Sequence, residues 1–200
     1  MKLIIITTEV FFESEANAIN MLFDNGMELL HLRKPEASES ETAHFIEQIH
    51  PKYHPQIVIH DHFSLAHNFP LKGIHLNSRN RNIPEHFLGT ISRSCHTVSE
   101  LEQHPEMDYL FLSPVFDSIS KENYVTLFTE YLLYDAKDKG IINEKVIALG
   151  GINKQNLTKI KDYGFGGAAI LGGLWEDFPK QQNTDKLLTC FKEIQHAAYQ

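Results

Sequence analysis

The chain has 200 residues, of which 42% are hydrophobic, enough for one domain with a sizeable core. Its formal net charge of −8, with the 18 Lys and Arg scattered, excludes nucleic acid as a partner. Cys95 and Cys190 lie far apart, which excludes a disulfide framework or zinc ribbon and fits a reducing cytoplasm. The apolar start at residues 3–6 is too short for a signal segment or a membrane span, and it reads as a first strand.

In chain order, short β-branched runs alternate with stretches of helical period. Eight strands are predicted, at residues 2–7, 28–32, 56–59, 73–76, 90–94, 109–112, 146–149 and 167–171. Between them, Ala18, Met21 and Leu22 form one apolar helix face before Gly26, and Phe45, Ile46 and Ile49 form another before Pro51. Thr97 with Glu100 predicts a capped helix start, Asn153 precedes a helix carrying Leu157 and Ile160, and a last helix covers 185–198. The short connections after strands three and four leave room for a turn or two of helix. Strand–helix alternation repeated eight times predicts a parallel (β/α)8 TIM barrel occupying the whole chain as one domain.

Polar residues and glycines gather at the C-terminal strand ends, where barrels of this class build their sites. His31 and Arg33 close strand two, His60 and Asp61 strand three, His75 and Asn77 strand four, Ser94 and His96 strand five, and Ser113 strand six. Period-two alternation sets His31 and Arg33 on one face and Leu30 and Leu32 on the other, so the polar members point into the mouth. Gly150-Gly151 follows strand seven and Gly172-Gly173 follows strand eight, where bare backbone N–H groups approach an anion closely. Loops seven and eight form the recurrent phosphate site of these barrels. Ser118, Ser120 and Lys121, after strand six, supply two hydroxyls and a cation suited to phosphate oxygens.

From residue 5 to about 174 these motifs resemble the thiamine phosphate synthase family, which includes the related thiazole tautomerases. His31-Leu32-Arg33-Lys34-Pro35 is similar to the family's Gln-x-Arg-x-Lys, which binds pyrimidine and diphosphate; the family lysine falls at Pro35, so Lys34 stands in from the next position. His60-Asp61 resembles its Asn-Asp, whose carboxylate binds magnesium, and the second magnesium Asp falls at Asn80. Gly73-Ile74-His75 is intact, placing His75 beside the pyrimidine. Ser94-Cys95-His96-Thr97 matches a Ser-x-His-Thr whose serine contacts diphosphate, and Ser118, Ser120 and Lys121 match a Thr-x-Thr-Lys.

The resemblance implies coupling of a hydroxymethylpyrimidine diphosphate to a hydroxyethylthiazole phosphate, with loss of pyrophosphate. It implies catalytic roles for Arg33, Ser94 and Lys121, and Mg2+ on Asp61 and Asn80. It also implies substrate contacts from His31, Lys34, His60, His75, His96, Ser118 and Ser120, with the thiazole phosphate on Gly150, Gly151, Gly172 and Gly173. Phosphorylated pyrimidine and thiazole small molecules are thus the expected partners, and a homo-oligomer stays open. Two alternatives remain: a diverged enzyme using His31, His60 or His96 in acid–base work, and a non-catalytic binder of thiamine or thiazole phosphate. Pro114 stands where the tautomerases carry their catalytic histidine and cannot transfer a proton. A metal hydrolase built on the His60-x-His62 pair is a weaker reading.

Overall fold

A computed structural model describes residues 1–117 and 128–200. Ser118, Ser120 and Lys121 therefore lie outside the described residues. The strands are β1 (Lys2–Ile6), β2 (Leu30–Leu32), β3 (Ile57–Ile59), β4 (Gly73–Leu76), β5 (Thr90–Cys95), β6 (Tyr109–Leu112), β7 (Val146–Leu149) and β8 (Gly167–Ile170). They close into one barrel in sequence order, every neighbouring pair parallel, with β8 returning to β1 through the Lys2 to Gly167 register.

Helices join most successive strands, as parallel pairing requires, and the last three follow β8. They are α1 (Glu15–Asp24), α2 (Glu39–Gln48), α3 (Leu65–Asn68), α4 (Val98–Glu102), α5 (Glu130–Asp138), α6 (Leu157–Asp162), α7 (Gly172–Trp175), α8 (Phe178–Gln181) and α9 (Thr184–Tyr199). None of the described helices is long and apolar enough to cross a membrane. Three local expectations change. The β4–β5 connection forms no helix at all; it is held instead by side-chain turns around Asn77. Asn153 does not cap α6, because its side chain accepts from the Gln155 amide, and the helix starts only after Asn156. Ahead of α4, the Thr97 hydroxyl accepts from the Glu100 amide as expected, but the Glu100 carboxylate reaches back to His96 N.

Two apolar layers divide the strand residues by parity. Leu3, Ile5, Leu30, Leu32, Ile57 and Ile59 face outward and pack beneath the helices. Ile4, Ile6, Val58, Tyr109, Phe111, Ile147 and Ala169 fill the barrel. The inward positions also carry His31, His75 and Ser92, all fully buried. A barrel interior made only of aliphatic side chains needs no partners, whereas these polar groups must be hydrogen-bonded to one another.

Candidate functional site at the barrel mouth

A cavity of about 360 Å³ opens at the C-terminal ends of the strands. Its walls include Arg33, Ser94, His96, Phe111 and the two glycine pairs, and His60 lies on its floor side with only 4% of its surface exposed. β3 and β4 stand four strands from β7 and β8 in the closed ring, so the glycine loops lie across the mouth from the loops that follow β3 and β4.

The glycine loops have a backbone reason for their composition. Gly150 and Gly151 adopt φ of +96° and +63°, a region that side-chain-bearing residues rarely occupy. A Cβ on Gly151 would sit 2.2 Å from the Asp117 carbonyl oxygen, and one on Gly173 would sit 2.6 Å from that of Ile152. The loop carbonyls are already used: Phe116 N donates to Gly150 O, and Asn156 Nδ2 donates to Gly151 O at 2.9 Å. The N–H groups of Gly150, Gly151, Gly172 and Gly173 donate to no acceptor among the described residues. Together they form a wall of unspent donors, which is what a phosphate monoester requires.

Beneath the cavity runs a chain of hydrogen bonds. His60 Nε2 pairs with His31 Nδ1 at 2.9 Å, and His31 Nε2 pairs with the Tyr109 hydroxyl at 2.7 Å. Beside it, His75 spans Ser92 Oγ and Ser94 Oγ, each at 2.8 Å, and Ser94 lines the cavity. Burial is the first cause holding all three imidazoles below their ordinary value, reinforced at His31 and His60 by the neighbouring His75. For His75 the fall reaches about 3, with the Arg33 and Arg93 cations adding to burial. All three are neutral at pH 7.

The nitrogens of His31, His60 and His75 lie within 4.8 Å of one another, close enough to raise the question of a metal. The ring arrangement argues against it. His60 and His75 stack, with centroids 4.2 Å apart and planes at 24°, so their in-plane lone pairs run side by side and do not converge on one point. Nor does His62 join His60 in a metal pair: its Nε2 is turned to the Ala37 carbonyl at 2.7 Å.

The expected residues thus divide. Arg33, His60, Ser94, His96 and the four glycines line the cavity. His31 and His75 sit one layer below, completely buried, and reach it only through His60 and Ser94. Arg33 keeps its place, with Nη1 paired to Glu9 at 2.9 Å. Lys34 is a correction. Its neighbour Arg33 points to the mouth, so parity turns Lys34 the other way, where Nζ lies 2.8 and 2.7 Å from the Glu15 carboxylate oxygens. That pair is buried, with side-chain exposures of 1% and 0%, and the ammonium also sits over the rings of Phe11 and Phe45.

Asn80 is a second correction. Its Nδ2 donates to the His60 carbonyl at 3.1 Å, a contact only the NH2 group can make, and the same nitrogen donates to Asp61 Oδ1 at 2.8 Å. Asp61 also accepts from the Arg79 guanidinium at 3.0 to 3.3 Å. A hard divalent cation needs oxygen donors. Here the one carboxylate is surrounded by N–H groups, so these residues do not fit magnesium.

Arg79, which lines the cavity, was not singled out from the sequence, although the Ser78-Arg79-Asn80-Arg81 run directly after β4 was a readable basic signal. Glu9, Tyr109 and Ser92 were missed as well, since each acquires its role from a partner distant in sequence.

The chain as a whole has counterparts among known proteins. A family model described as thiamine monophosphate synthase matches residues 3–174. The crystal structure of a thiamine phosphate pyrophosphorylase from Bacteroides thetaiotaomicron is 42% identical, superposes with a TM-score of 0.91, and is matched over 100% of this chain and 98% of that one. The thiamine-phosphate synthase of Persephonella marina is 24% identical over 94% of each chain. That of Latilactobacillus sakei is 28% identical over 70% of this chain and 65% of its own length, just under two thirds. With a family match over residues 3–174, most of its length, the chain belongs to the thiamine monophosphate synthase family.

Proposed function

We propose that this chain forms thiamine phosphate by joining a hydroxymethylpyrimidine diphosphate to a hydroxyethylthiazole phosphate with release of pyrophosphate. The observation that carries the reading is the two-sided cavity: four unspent backbone N–H groups on one side, and guanidinium groups after β2 and β4 on the other. A site for one phosphate needs one such wall; two phosphorylated substrates need two.

The chemistry asks little of the protein in proton transfer. The bond between the pyrimidine methylene carbon and the diphosphate oxygen breaks, the electron pair leaves with pyrophosphate, and the thiazole nitrogen lone pair forms the new C–N bond. No proton has to be removed from that nitrogen. Catalysis is therefore positioning plus stabilisation of charge that develops on the leaving group. Arg33 supplies positive charge at the mouth, and Ser94 supplies a hydroxyl held by His75. Lys121, Ser118 and Ser120 follow β6 in the chain and are assigned to the same anion. The neutral floor matters equally, because a protonated imidazole beneath the pyrimidine would oppose positive charge building on its methylene. Phe111 offers an apolar face to the heteroaromatic ring.

A diverged enzyme in which a buried histidine acts as acid or base is disfavoured by those depressed pKa values and by Pro114. The free thiols Cys95 and Cys190 suit a cytoplasmic setting. The test is to give purified protein both phosphorylated substrates and measure thiamine phosphate and pyrophosphate. Equal amounts of the two products are expected. Binding of both substrates without product would replace the synthase reading with that of a binder.

A further inference from the structure

Asp61, at the end of β3, holds a cation of the protein's own. Arg79 Nε and Nη2 lie 3.2 and 3.0 Å from Asp61 Oδ1, and Nη2 is 3.3 Å from Oδ2. The backbone beneath it is fixed as well. Asn77 Oδ1 accepts from the Arg79 and Asn80 amides at 3.0 and 3.1 Å, while Asn77 Nδ2 donates to the His60 carbonyl at 2.7 Å. Arg79 is thus anchored at both ends of its side chain, and its Nη1 has no hydrogen-bond partner among the described residues. The side chain keeps 39% exposure and lines the cavity.

We propose that the Arg79 guanidinium, fixed on Asp61, receives the diphosphate end of the ligand in place of a divalent metal ion, so that anion binding at this mouth is independent of magnesium. The inference rests on the synthase reading for the identity of the diphosphate, and on geometry for the rest. A planar guanidinium has five N–H donors; with Nε and Nη2 held by the carboxylate, the Nη1 edge remains for phosphate oxygens. Asp61 acts as a positioning residue: it orients the arginine and need not touch the ligand. A metal ion added here would meet Arg79 and the Asn80 amide hydrogens, both repulsive to it, before it met a second anionic ligand.

The experiment is calorimetric titration of the full chain with inorganic pyrophosphate, once with a chelator and once with excess magnesium. The two affinities are expected to agree within about twofold. Arg79→Gln should weaken binding about tenfold or more in both conditions, the loss expected for a hydrogen bond between charged groups. Arg79→Lys should retain part of the affinity and serves as the variant that keeps the charge. Asp61→Asn should leave pyrophosphate bound, whereas loss of a metal ligand would abolish binding. Binding that disappears with the chelator and returns with magnesium overturns the inference, as does an absence of pyrophosphate binding in both conditions. Thiamine phosphate formation is assayed separately. If no product forms while pyrophosphate still binds without metal through Arg79, the synthase reading falls and the guanidinium site stands.

Discussion

Replacing Lys34 by Met separates a structural lysine from a ligand-binding one. In the folded chain Nζ lies 2.8 and 2.7 Å from the two Glu15 oxygens and 3.1 Å from the Val10 carbonyl. Met fills nearly the same volume, so the packing term is small and the electrostatic one dominates. Removing one member of a buried pair leaves an uncompensated charge and costs about 3–5 kcal/mol. At roughly 2–4 °C per kcal/mol for a chain of this size, Tm should fall by about 10 °C. The deficit has a pH signature. Burial already raises the Glu15 carboxyl above its ordinary value of 4.5, opposed chiefly by Lys34, and without the lysine it rises further. A raised carboxyl pKa means that the folded state holds the extra proton, so the deficit is full at neutral pH and shrinks as pH falls toward 4.5. Adding Glu15→Gln to Lys34→Met should recover most of the loss. Thermal and urea unfolding followed by circular dichroism measure these terms, and pyrophosphate titration supplies the contrast. A Lys34→Met protein with unchanged Tm and weakened pyrophosphate binding would refute the argument and return Lys34 to the ligand.

Gly151→Ala places a Cβ 2.2 Å from the Asp117 oxygen at φ +63°, so a loss of about 1–3 kcal/mol from backbone strain alone is expected, together with a raised KM for the thiazole phosphate. Unfolding and steady-state kinetics on one preparation check both. Arg33→Ala should lower kcat by about 100-fold, as when one group stabilising developing negative charge is lost, with Tm little changed because its partner Glu9 is itself 42% exposed. The three buried imidazoles give a pH prediction of fixed sign. Their folded pKa values lie below the ordinary imidazole value of 6.5, so the unfolded state binds the extra protons. Stability is unaffected above about pH 6.5 and falls at lower pH by ~1.4 kcal/mol per unit for each imidazole that stays neutral, continuing for His75 to about 3. Urea midpoints between pH 7.5 and 5 test this, and a flat profile would mean that the imidazoles are not held neutral.

The strands were legible because each is a short apolar run with a glycine or polar residue at its end; β4, β6 and β7 fall on the expected residues and the others differ by at most two at either end. Parity along β2 placed Arg33 toward the mouth, and the same parity excludes Lys34 from it, a consequence of the pleat that outweighs similarity of residue type. The glycine loops were readable because a close backbone approach leaves no room for a Cβ. What could not be read was partnership. Nothing local to Asp61 tells whether its carboxylate meets a metal ion or Arg79, since they are 18 residues apart and joined only when β3 and β4 pair. The split of histidines between cavity and interior was hidden for the same reason: His31 and His60 sit at successive levels of the barrel because of the register between β2 and β3.

That register also explains why three neutral histidines are tolerated in a barrel core. An aliphatic interior would be simpler, and a lone imidazole there would carry two unmet hydrogen-bonding nitrogens. Here Tyr109 partners His31 while Ser92 and Ser94 partner His75, and His60 and Ser94 both reach the cavity. A chain of this kind has coupled tautomers: choosing which nitrogen of His60 carries the proton constrains the hydrogens of His31 and Tyr109 beyond it. The floor therefore offers the cavity a defined donor and acceptor pattern without offering it charge. The proposed reaction would benefit from both properties, since its positive groups, Arg33 and Arg79, line the mouth, where the proposal puts the leaving anion.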